Sequence, residues 1–287
     1  ETEIWPMMLY QCKNRGVPLL LMNARLSNKS LGKYLFFRNF TSNILSKFEK
    51  ICAQSEADRK NFKKLTRINI DVTGNTKFDF PISKKKLSLS KTLKKELNIS
   101  NQIVLVAGST RKGEEKVILD CFKNLKIENL MLILVPRHPQ RFEEVENLIA
   151  SRNFIFAKRS NFKKSSQLPR VLLGDTMGEL RSYYELADLV ILGGSIKNFG
   201  AQNPIEPLSL GKPTIIGPSI YNFQDVVQKA ENHNLIYRLH NIKDLDLLIK
   251  KIIALKQKAI NRQNLKDFLK KESGASQRLA DVVNRFL

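Results

Sequence analysis

The stretch Leu189-Val-Ile-Leu-Gly-Gly-Ser-Ile-Lys-Asn-Phe-Gly-Ala-Gln-Asn-Pro-Ile-Glu206 decides the fold of this chain. Its leading apolar residues predict a buried strand, and Asn203-Pro204 is typical of a helix start, with asparagine as N-cap and proline in the first turn. The first N–H groups of such a helix favour an anion such as a phosphate, and Glu206 is placed to bind sugar hydroxyls. A glycine pair alone indicates an ordinary connection. With the second strand that follows at 213–217, the pattern predicts a nucleotide-binding βα unit.

Short apolar runs recur through the second half of the chain, and each ends in a polar turn marked by glycine or proline. They cover residues 102–107, 130–135, 171–173, 189–192 and 214–216. Because the carboxyl ends of parallel strands meet at one edge of a doubly wound sheet, these turns are predicted to share that edge. The first half repeats the strand and helix alternation at 18–22, 51–54 and 68–72. The predicted fold class is therefore α/β.

The charge balance is strongly basic, with 49 lysine and arginine residues against 27 aspartate and glutamate residues and a formal net charge of +22. Such a surface attracts polyanions: nucleic acid, an anionic membrane face or a phosphorylated substrate. No run approaches the roughly eighteen apolar residues of a membrane-spanning helix. Cys12, Cys52, Cys121 and three histidines lie without ligand spacing, so no metal site is predicted.

A few charged residues are candidates for chemistry. Arg137 and His138 stand between two prolines after a predicted strand, and an arginine held in this way binds phosphate bidentately. Lys77, in another turn after a strand, is a candidate for stabilising negative charge, and Glu1 with Glu3 for carboxylate catalysis. Each has an ordinary alternative as a surface or structural residue. A P-loop and a Gly-x-Ser-x-Gly nucleophile turn are both absent from the sequence.

A set of motifs in order resembles that of the bacterial Kdo transferases, the 3-deoxy-D-manno-octulosonic acid transferases of lipopolysaccharide synthesis. The motifs cover nearly the whole chain: Glu1-Thr-Glu-Ile-Trp-Pro6, Asn23-Ala-Arg-Leu-Ser27, Thr73-Gly-Asn-Thr-Lys-Phe-Asp79, Gly113-Glu-Glu115, Val135-Pro-Arg-His-Pro139, Gly174-Asp-Thr-Met-Gly-Glu-Leu180 and Gly200-Ala-Gln-Asn-Pro-Ile-Glu206. The resemblance implies a GT-B fold, with two Rossmann-like domains facing across a cleft. It places the remaining part of the acceptor-side domain at 1–82, the nucleotide-sugar-binding domain at 83–270, and at 271–287 a helix that packs back toward the N-terminal domain.

The resemblance also assigns roles to residues. The residues matched to CMP binding are Arg137, His138, Met177, Gly178, Glu179, Asn203, Pro204, Ile205 and Glu206. Glu1 and Lys77 match the residues that stabilise the transition state in the family. The implied donor substrate is CMP-Kdo and the implied acceptor is lipid IVA, a lipid A precursor. No cofactor and no metal is implied.

The chain departs from the family pattern in several places. The usual Gly-Gly-His-Asn-Pro reads Gly-Ala-Gln-Asn-Pro, so Ala201 restricts the backbone where glycine is expected. Arg111 stands where histidine is common. The resemblance further implies that the first part of the N-terminal domain precedes Glu1 and carries a membrane-anchoring segment and the general-base glutamate. The chain by itself is therefore expected to bind CMP without activating the acceptor hydroxyl.

The expected function is inverting transfer of Kdo from CMP-Kdo to lipid IVA at the cytoplasmic face of an inner membrane, with this chain bound peripherally to the anionic surface. Two alternatives stay open: another GT-B enzyme that uses a UDP-sugar, and a non-catalytic basic module that binds nucleic acid or membrane. Nucleic acid is not an expected partner, because neither an aromatic-rich RNA motif nor a helix-turn-helix is present. Aromatics and lysines at helical spacing over 31–50 indicate amphipathic helices that pack on a sheet or face a lipid interface. The number of Kdo residues added maps onto no motif.

Overall fold

The computed structural model describes residues 4–79, 84–97, 99, 101–162, 168–255 and 261–287, with the backbone alone for 84–88. The chain forms two compact units, Glu1–Pro81 with Leu269–Leu287, and Ile82–Phe268. Every described strand pairing is parallel. The α/β fold class predicted from the sequence is confirmed. Within the described ranges, no helix has the length and apolar character needed to cross a bilayer.

The first unit contains a three-stranded sheet. Its strands are β1 (Leu20–Ala24), β2 (Lys50–Ala53) and β3 (Ile70–Val72), paired in that order. Helix α1 (Pro6–Asn14) precedes β1, α2 (Asn28–Phe36) and α3 (Arg38–Leu45) lead to β2, and α4 (Glu56–Lys63) leads to β3. Serine side chains start two of these helices, because Ser27 Oγ accepts the N–H of Ser30 and Ser55 Oγ that of Asp58. A 3₁₀ turn, Thr76–Phe78, follows β3.

The second unit contains a seven-stranded sheet. Its strands are β4 (Ile103–Thr110), β5 (Leu130–Pro136), β6 (Phe156–Lys158), β7 (Val171–Leu173), β8 (Leu189–Leu192), β9 (Thr214–Ile216) and β10 (Tyr237–Arg238). Its helices are α5 (Lys84–Glu96), α6 (Glu114–Asn124), α7 (Phe142–Ala150), α8 (Leu180–Leu186), α9 (Ile205–Ser209), α10 (Gln224–Asn232), α11 (Leu245–Ala254) and α12 (Arg262–Glu272), the last of which runs on into the first unit. The five strands predicted from the sequence are present, whereas β6 and β10 at the two edges were not predicted.

The order of the strands across the second sheet is β10-β9-β8-β4-β5-β7-β6. The chain runs from β4 outward through β5 to β6 and β7, then crosses back to place β8 on the other side of β4. The connections after β4 and after β8 therefore leave the sheet in opposite directions. In open α/β sheets this reversal opens a crevice at the carboxyl edge, where ligands bind.

Both faces of the second sheet are covered by apolar side chains. On one face Leu105 and Leu132 pack in a cluster with Ile118 of α6, and on the other Val106 and Ile133 pack among residues of α5 and α8. Each fully buried aliphatic side chain contributes roughly 1.5–3 kcal/mol. The central strands therefore form a rigid base for the turns at their carboxyl ends.

The last helix, α13 (Ala275–Val283), packs in the first unit, where Leu279 and Val282 contact Cys52 of β2. Its start is held by Asp79, whose carboxylate accepts the N–H groups of Gly274 and Ser276, each at 2.6 Å. Burial alone would raise the pKa of Asp79, but the hydrogen bonds from Ser276 and Gly274 outweigh it and lower that pKa. The turn after β3 and the final helix are thus joined through one ionised side chain.

Candidate functional site

A buried glutamate joins the two turns that flank the crevice between β4 and β8. Glu114, the first residue of α6, has no exposed surface. Its Oε2 accepts the N–H groups of Arg111 at 2.8 Å and Gly194 at 2.7 Å, and its Oε1 those of Ile196 at 2.9 Å and Lys197 at 3.1 Å. Burial raises the pKa of Glu114 and the N–H donors oppose that effect, so its ionised form depends on the turns staying closed. One side chain therefore sets the shape of both turns.

The glycine turn after β8 packs directly against the end of β4. A Cβ on Gly193 would lie 2.2 Å from the carbonyl oxygen of Ser109, a distance that no side chain tolerates. Ala201, further along, has a φ of 67°, in the left-handed region that disfavours residues with a Cβ. The structure thus confirms that glycine would suit position 201 better. It also shows that the closest backbone approach is at Gly193.

Cations lie at the carboxyl ends of β4 and β5. Arg111 Nη1 lies 2.8 Å from His138 Nε2, and the Arg111 guanidinium carbon lies 4.8 Å from the centre of the Phe199 ring. Desolvation, followed by the charges of Arg111, Arg137 and Arg141, lowers the pKa of His138, which favours a neutral ring at pH 7. Because Arg111 donates to Nε2, the proton of that ring is on Nδ1, where it can be donated to an anion.

Arg137 is exposed beside His138, and within the described part of the chain its side chain has no hydrogen-bond or ion-pair partner. The turn that carries it is fixed from below by Arg141. That guanidinium donates to both oxygens of the fully buried Glu115, at 2.6 and 3.0 Å, and also bonds Glu144. These carboxylates raise the pKa of Arg141 and keep it charged. A bidentate pair of this kind orients the turn with little freedom.

The turn after β7 presents backbone and one apolar side chain. Met177 is 64% exposed, and Gly178 has a φ of 83°. The carboxylate of Glu179 faces inward, where it accepts from Arg159 at 3.1 Å, from Tyr183 at 2.8 Å and from Thr176. Burial would raise the pKa of Glu179, and the hydrogen bonds from Thr176, Tyr183 and Arg159 lower it. The carboxylate of Glu179 therefore shapes this turn before it meets any ligand.

The helix start at Asn203 has the hydrogen bond expected of the predicted asparagine cap. The side chain of Asn203 accepts the N–H of Ile205 at 3.1 Å, and Pro204 has helical dihedral angles, φ −78° and ψ −16°, although the regular helix is counted from Ile205. Helix α9 has only five residues, so its dipole adds little to anion binding. Pro204 and Ile205 are buried, which leaves their backbone alone to meet a ligand. The Glu206 carboxylate is half-buried and, in the part of the chain described, has no hydrogen-bond partner.

The structure brings most of the predicted site residues to one edge. The groups at 137–138, 177–179 and 203–206 follow β5, β7 and β8, at the carboxyl ends of one parallel sheet. Lys77 lies in the first unit, in the 3₁₀ turn, where its N–H bonds Asn75 Oδ1 at 3.0 Å. Glu1 lies outside the described residues. The roles given to all these residues stay predictions.

Comparisons with known proteins place the chain in a family. A family model described as 3-deoxy-D-manno-octulosonic-acid transferase (kdotransferase) matches residues 1–80. The chain is 32% identical to the 3-deoxy-D-manno-octulosonic acid transferase of Haemophilus influenzae, over 100% of this chain and 68% of that protein. It belongs to the Kdo transferase family. The chain also covers 54% of the transferase of Bordetella pertussis, at 31% identity, and 62% of that of Rickettsia typhi, at 30%. It thus spans about two thirds of these relatives or less.

Comparison with solved structures is consistent with membership of this family. The C-terminal CMP-Kdo binding domain of WaaA from Acinetobacter baumannii matches with a TM-score of 0.57 and 26% identity, over 68% of this chain and all of that domain. HepE of Anabaena, solved with UDP and glucose, matches 96% of this chain and 74% of its own with a TM-score of 0.60 at 16% identity. At that identity the second likeness concerns the fold alone. Both neighbours have the GT-B type of fold that the sequence predicted for this Kdo transferase family member.

Sequence reasoning missed the residues that support the site. Glu114 and Glu115 belong to one of the motifs on which the family resemblance rests. Their sequence pattern nevertheless did not predict that Glu114 accepts N–H groups of the turn after β8, or that Glu115 pairs with Arg141. Two adjacent acidic residues at a helix start usually signal a favourable helix dipole and no more. No motif in the sequence indicated that Arg141 has a supporting role. The side-chain partners of these residues are 26 and 80 positions away, and only the folded sheet brings them together.

Proposed function

We propose that this chain carries the donor-binding part of a Kdo transferase, which moves Kdo from CMP-Kdo to lipid IVA with inversion. The observation that carries the proposal is the meeting of three polar turns at the carboxyl edge of one sheet, in a chain of this family. The Acinetobacter structure that matches 68% of this chain is described as a CMP-Kdo binding domain, which supports the donor assignment. No cofactor or metal is needed in this proposal.

The cations at the edge suit the leaving group. When the bond between the sugar carbon and the phosphate oxygen breaks, its electron pair goes to the phosphate of CMP, and negative charge builds there. Arg137 and the Nδ1–H of His138 are placed to stabilise that charge, held by Arg111 and Arg141. The sugar carbon meanwhile passes through an oxocarbenium-like state, and the acceptor oxygen attacks the opposite face. Inversion follows from that single displacement.

The nucleoside is assigned to the other two turns. The exposed Met177 and the backbone of Gly178 offer an apolar surface and N–H groups for the base. The Glu206 carboxylate accepts hydrogen bonds from the ribose hydroxyls. Lys77 and Glu1 are assigned to transition-state stabilisation through the family resemblance.

Exposed aromatic and basic side chains of the first unit support a lipid surface as the place where the acceptor is bound. Phe36 ends α2, Phe37 links it to α3, and Phe40 lies on α3; their side chains are 81%, 63% and 61% exposed. Lys33 and Arg38, close to them in the chain, are also exposed. Aromatic side chains insert at a bilayer interface while lysine and arginine attract anionic headgroups. This aromatic patch supports peripheral attachment to the cytoplasmic face of an inner membrane, where lipid IVA is presented.

Calorimetric titration of the 287-residue chain with CMP and with UDP tests the donor assignment. We expect CMP to bind more tightly, and Arg137→Ala to weaken CMP by about tenfold because a charge-assisted phosphate contact is lost. The matched control is Arg262→Ala, at the exposed start of α12. Tighter binding of UDP would favour a UDP-sugar enzyme. No response to either nucleotide, together with salt-sensitive DNA binding, would favour a nucleic-acid-binding module.

Transfer itself is tested separately. From the family resemblance we expect CMP-Kdo to bind without transfer to lipid IVA, because no residue of this chain matches the family's general base. Mass spectrometry of the lipid product measures this. Turnover by the purified chain would contradict the expectation and show that another residue accepts the proton of the acceptor hydroxyl.

A further inference from the structure

A cavity beside the nucleotide turns has no role in the assignment so far. It lies between the turns after β8 and β9, has a volume of about 610 Å³, and is lined by Ile196, Lys197, Asn198, Pro218, Ser219, Ile220, Tyr221 and Gln224. The cavity is broadly open to solvent, and its volume falls in the range of small-molecule sites. We propose that this cavity binds the acidic sugar of the donor, with Lys197 paired to the sugar carboxylate. The proposal rests on the proposed function.

The cavity is preformed by hydrogen bonds between its two walls. Ser219 N–H donates to Ser195 O at 2.9 Å, Gly200 N–H to Ser219 Oγ at 2.8 Å, and Asn222 Nδ2 to Phe199 O at 2.9 Å. A Cβ on Gly200 would lie 2.4 Å from the Tyr221 ring, so the two turns pack directly against each other at Gly200. Little ordering is left for a ligand to impose, which favours affinity.

The lining suits a sugar with one apolar and one polar face. Ile220 and the ring of Tyr221 offer apolar surface to C–H groups, whereas the side chain of Ile196 is buried in the core beneath them. The side-chain amides of Asn198 and Gln224 have no hydrogen-bond partner among the described residues, so both are available to hydroxyls. Lys197 likewise forms no ion pair within those residues.

The position of Lys197 fits the chemistry of the donor. In a 2-ulosonic acid joined to phosphate, the carboxylate and the phosphate oxygen are bonded to the same carbon. The donor therefore needs a second cation immediately beside the phosphate site. Lys197 is in the turn that Glu114 closes, and its Cε lies 3.9 Å from where a Cβ on Gly113 would stand, next to the β4–β8 crevice. It is thus set to distinguish an acidic donor from a neutral one.

Calorimetry with four ligand and protein combinations tests the pairing. Wild-type chain and Lys197→Met are each titrated with CMP-Kdo and with its C1 methyl ester, which lacks the carboxylate charge, and CMP alone serves as reference. We expect wild type to bind the ester about tenfold more weakly than the acid, and Lys197→Met to bind both alike, with CMP affinity within about twofold of wild type. Lys251→Met, an exposed lysine on α11, is the matched control.

The outcomes separate the cavity from the proposed function. Unchanged preference for the acid in Lys197→Met overturns the pairing, as does an equal loss of CMP and CMP-Kdo. Wild-type chain that binds none of the three overturns the proposed function itself. If Lys197→Met does not fold, as judged by its thermal midpoint, Gln224→Leu replaces it: a drop in CMP-Kdo affinity with CMP unchanged supports the cavity, and no drop overturns it.

Discussion

At the residue scale, the site depends on charged side chains that no ligand needs to touch. Glu114 holds two turns through backbone N–H groups, and Glu115 holds Arg141. Both carboxylates are fully buried, and a buried charge that loses its partners is costly. In the proposed donor site, the exposed residues Arg137 and His138 depend on this lower layer, because it fixes the backbone beneath them.

Replacing Glu114 with glutamine tests that lower layer. The amide keeps one acceptor oxygen but turns its NH₂ group toward two N–H donors, so we expect a loss of about 2–4 kcal/mol in the free energy of unfolding. CMP affinity should fall as well, because the turn after β8 loses its shape. Urea denaturation and calorimetry measure the two effects. Glu143→Gln, exposed on α7, is the control and should change stability by less than about 0.5 kcal/mol. Equal stability of the two variants would contradict the role of Glu114.

At the element scale, the turns differ in how tightly they are packed. The turn after β8 contacts the end of β4 backbone to backbone, whereas a Cβ on Gly178, after β7, would have no atom within 4 Å. The first turn is therefore sterically defined and the second is limited only by its backbone dihedral angles. We therefore expect the turn after β7, and not the turn after β8, to change its conformation when a ligand binds.

The variants Gly193→Ala and Gly178→Ala separate these two causes. Gly193→Ala forces the strands apart and should cost about 3 kcal/mol or more of the free energy of unfolding. Gly178→Ala places a Cβ at a φ of 83° in open space and should cost about 1–2 kcal/mol. Denaturant midpoints give both values. A Gly193→Ala variant as stable as Gly178→Ala would show that the turn after β8 yields easily.

The junction of α13 with the turn after β3 predicts a pH dependence. The pKa of Asp79 is lowered in the folded chain, so its contribution to stability is fully present above its unfolded pKa of about 3.9 and is lost as pH falls through the folded value. Asp79→Asn should therefore unfold more easily than wild type at pH 7, by about 1–2 kcal/mol. The difference should vanish at a pH below the folded pKa. A constant difference across that range would mean that the carboxylate charge is not what holds α13.

At the scale of the whole molecule, net charge and exposed aromatic surface determine which kind of anionic surface the chain is expected to bind. The net charge of +22 draws the chain to any anionic surface, but charge alone does not choose a membrane over nucleic acid. The exposed patch formed by Phe36, Phe37 and Phe40 favours a membrane over nucleic acid, because aromatic side chains insert only into an apolar phase.

Sedimentation with vesicles tests the aromatic patch. The chain should bind anionic phosphatidylglycerol vesicles and release most of them between about 0.1 and 0.5 M salt, since screening shortens the reach of its charges. Replacing Phe36 and Phe37 with serine should weaken vesicle binding by about tenfold at low salt. Leu247→Ser, 62% exposed on α11, is the control. Unaltered binding by the double variant would assign the attraction to charge alone.

The sequence by itself determined the α/β class, five of the seven strands in the second sheet, and the three turns at its carboxyl edge. These follow from apolar periodicity and from glycine, proline and asparagine at strand ends, which are local properties. The edge strands β6 and β10 escaped prediction because three and two residues carry too little pattern. The start of α9 was also predictable from the sequence, because the side-chain oxygen of Asn203 caps the N–H of Ile205 as an N-cap asparagine does.

Only the tertiary structure decided how the turns are supported and what lies between them. The reversal of strand order at β4 brings Glu114 to residues 80 and more positions away, and Arg141 to Glu115. The cavity beside Lys197 exists because the turns after β8 and β9 bond each other. Such contacts depend on which strands are neighbours in space. The sequence of each turn shows which chemical groups it contains, but the distance between two turns is set by the arrangement of the strands in the folded sheet.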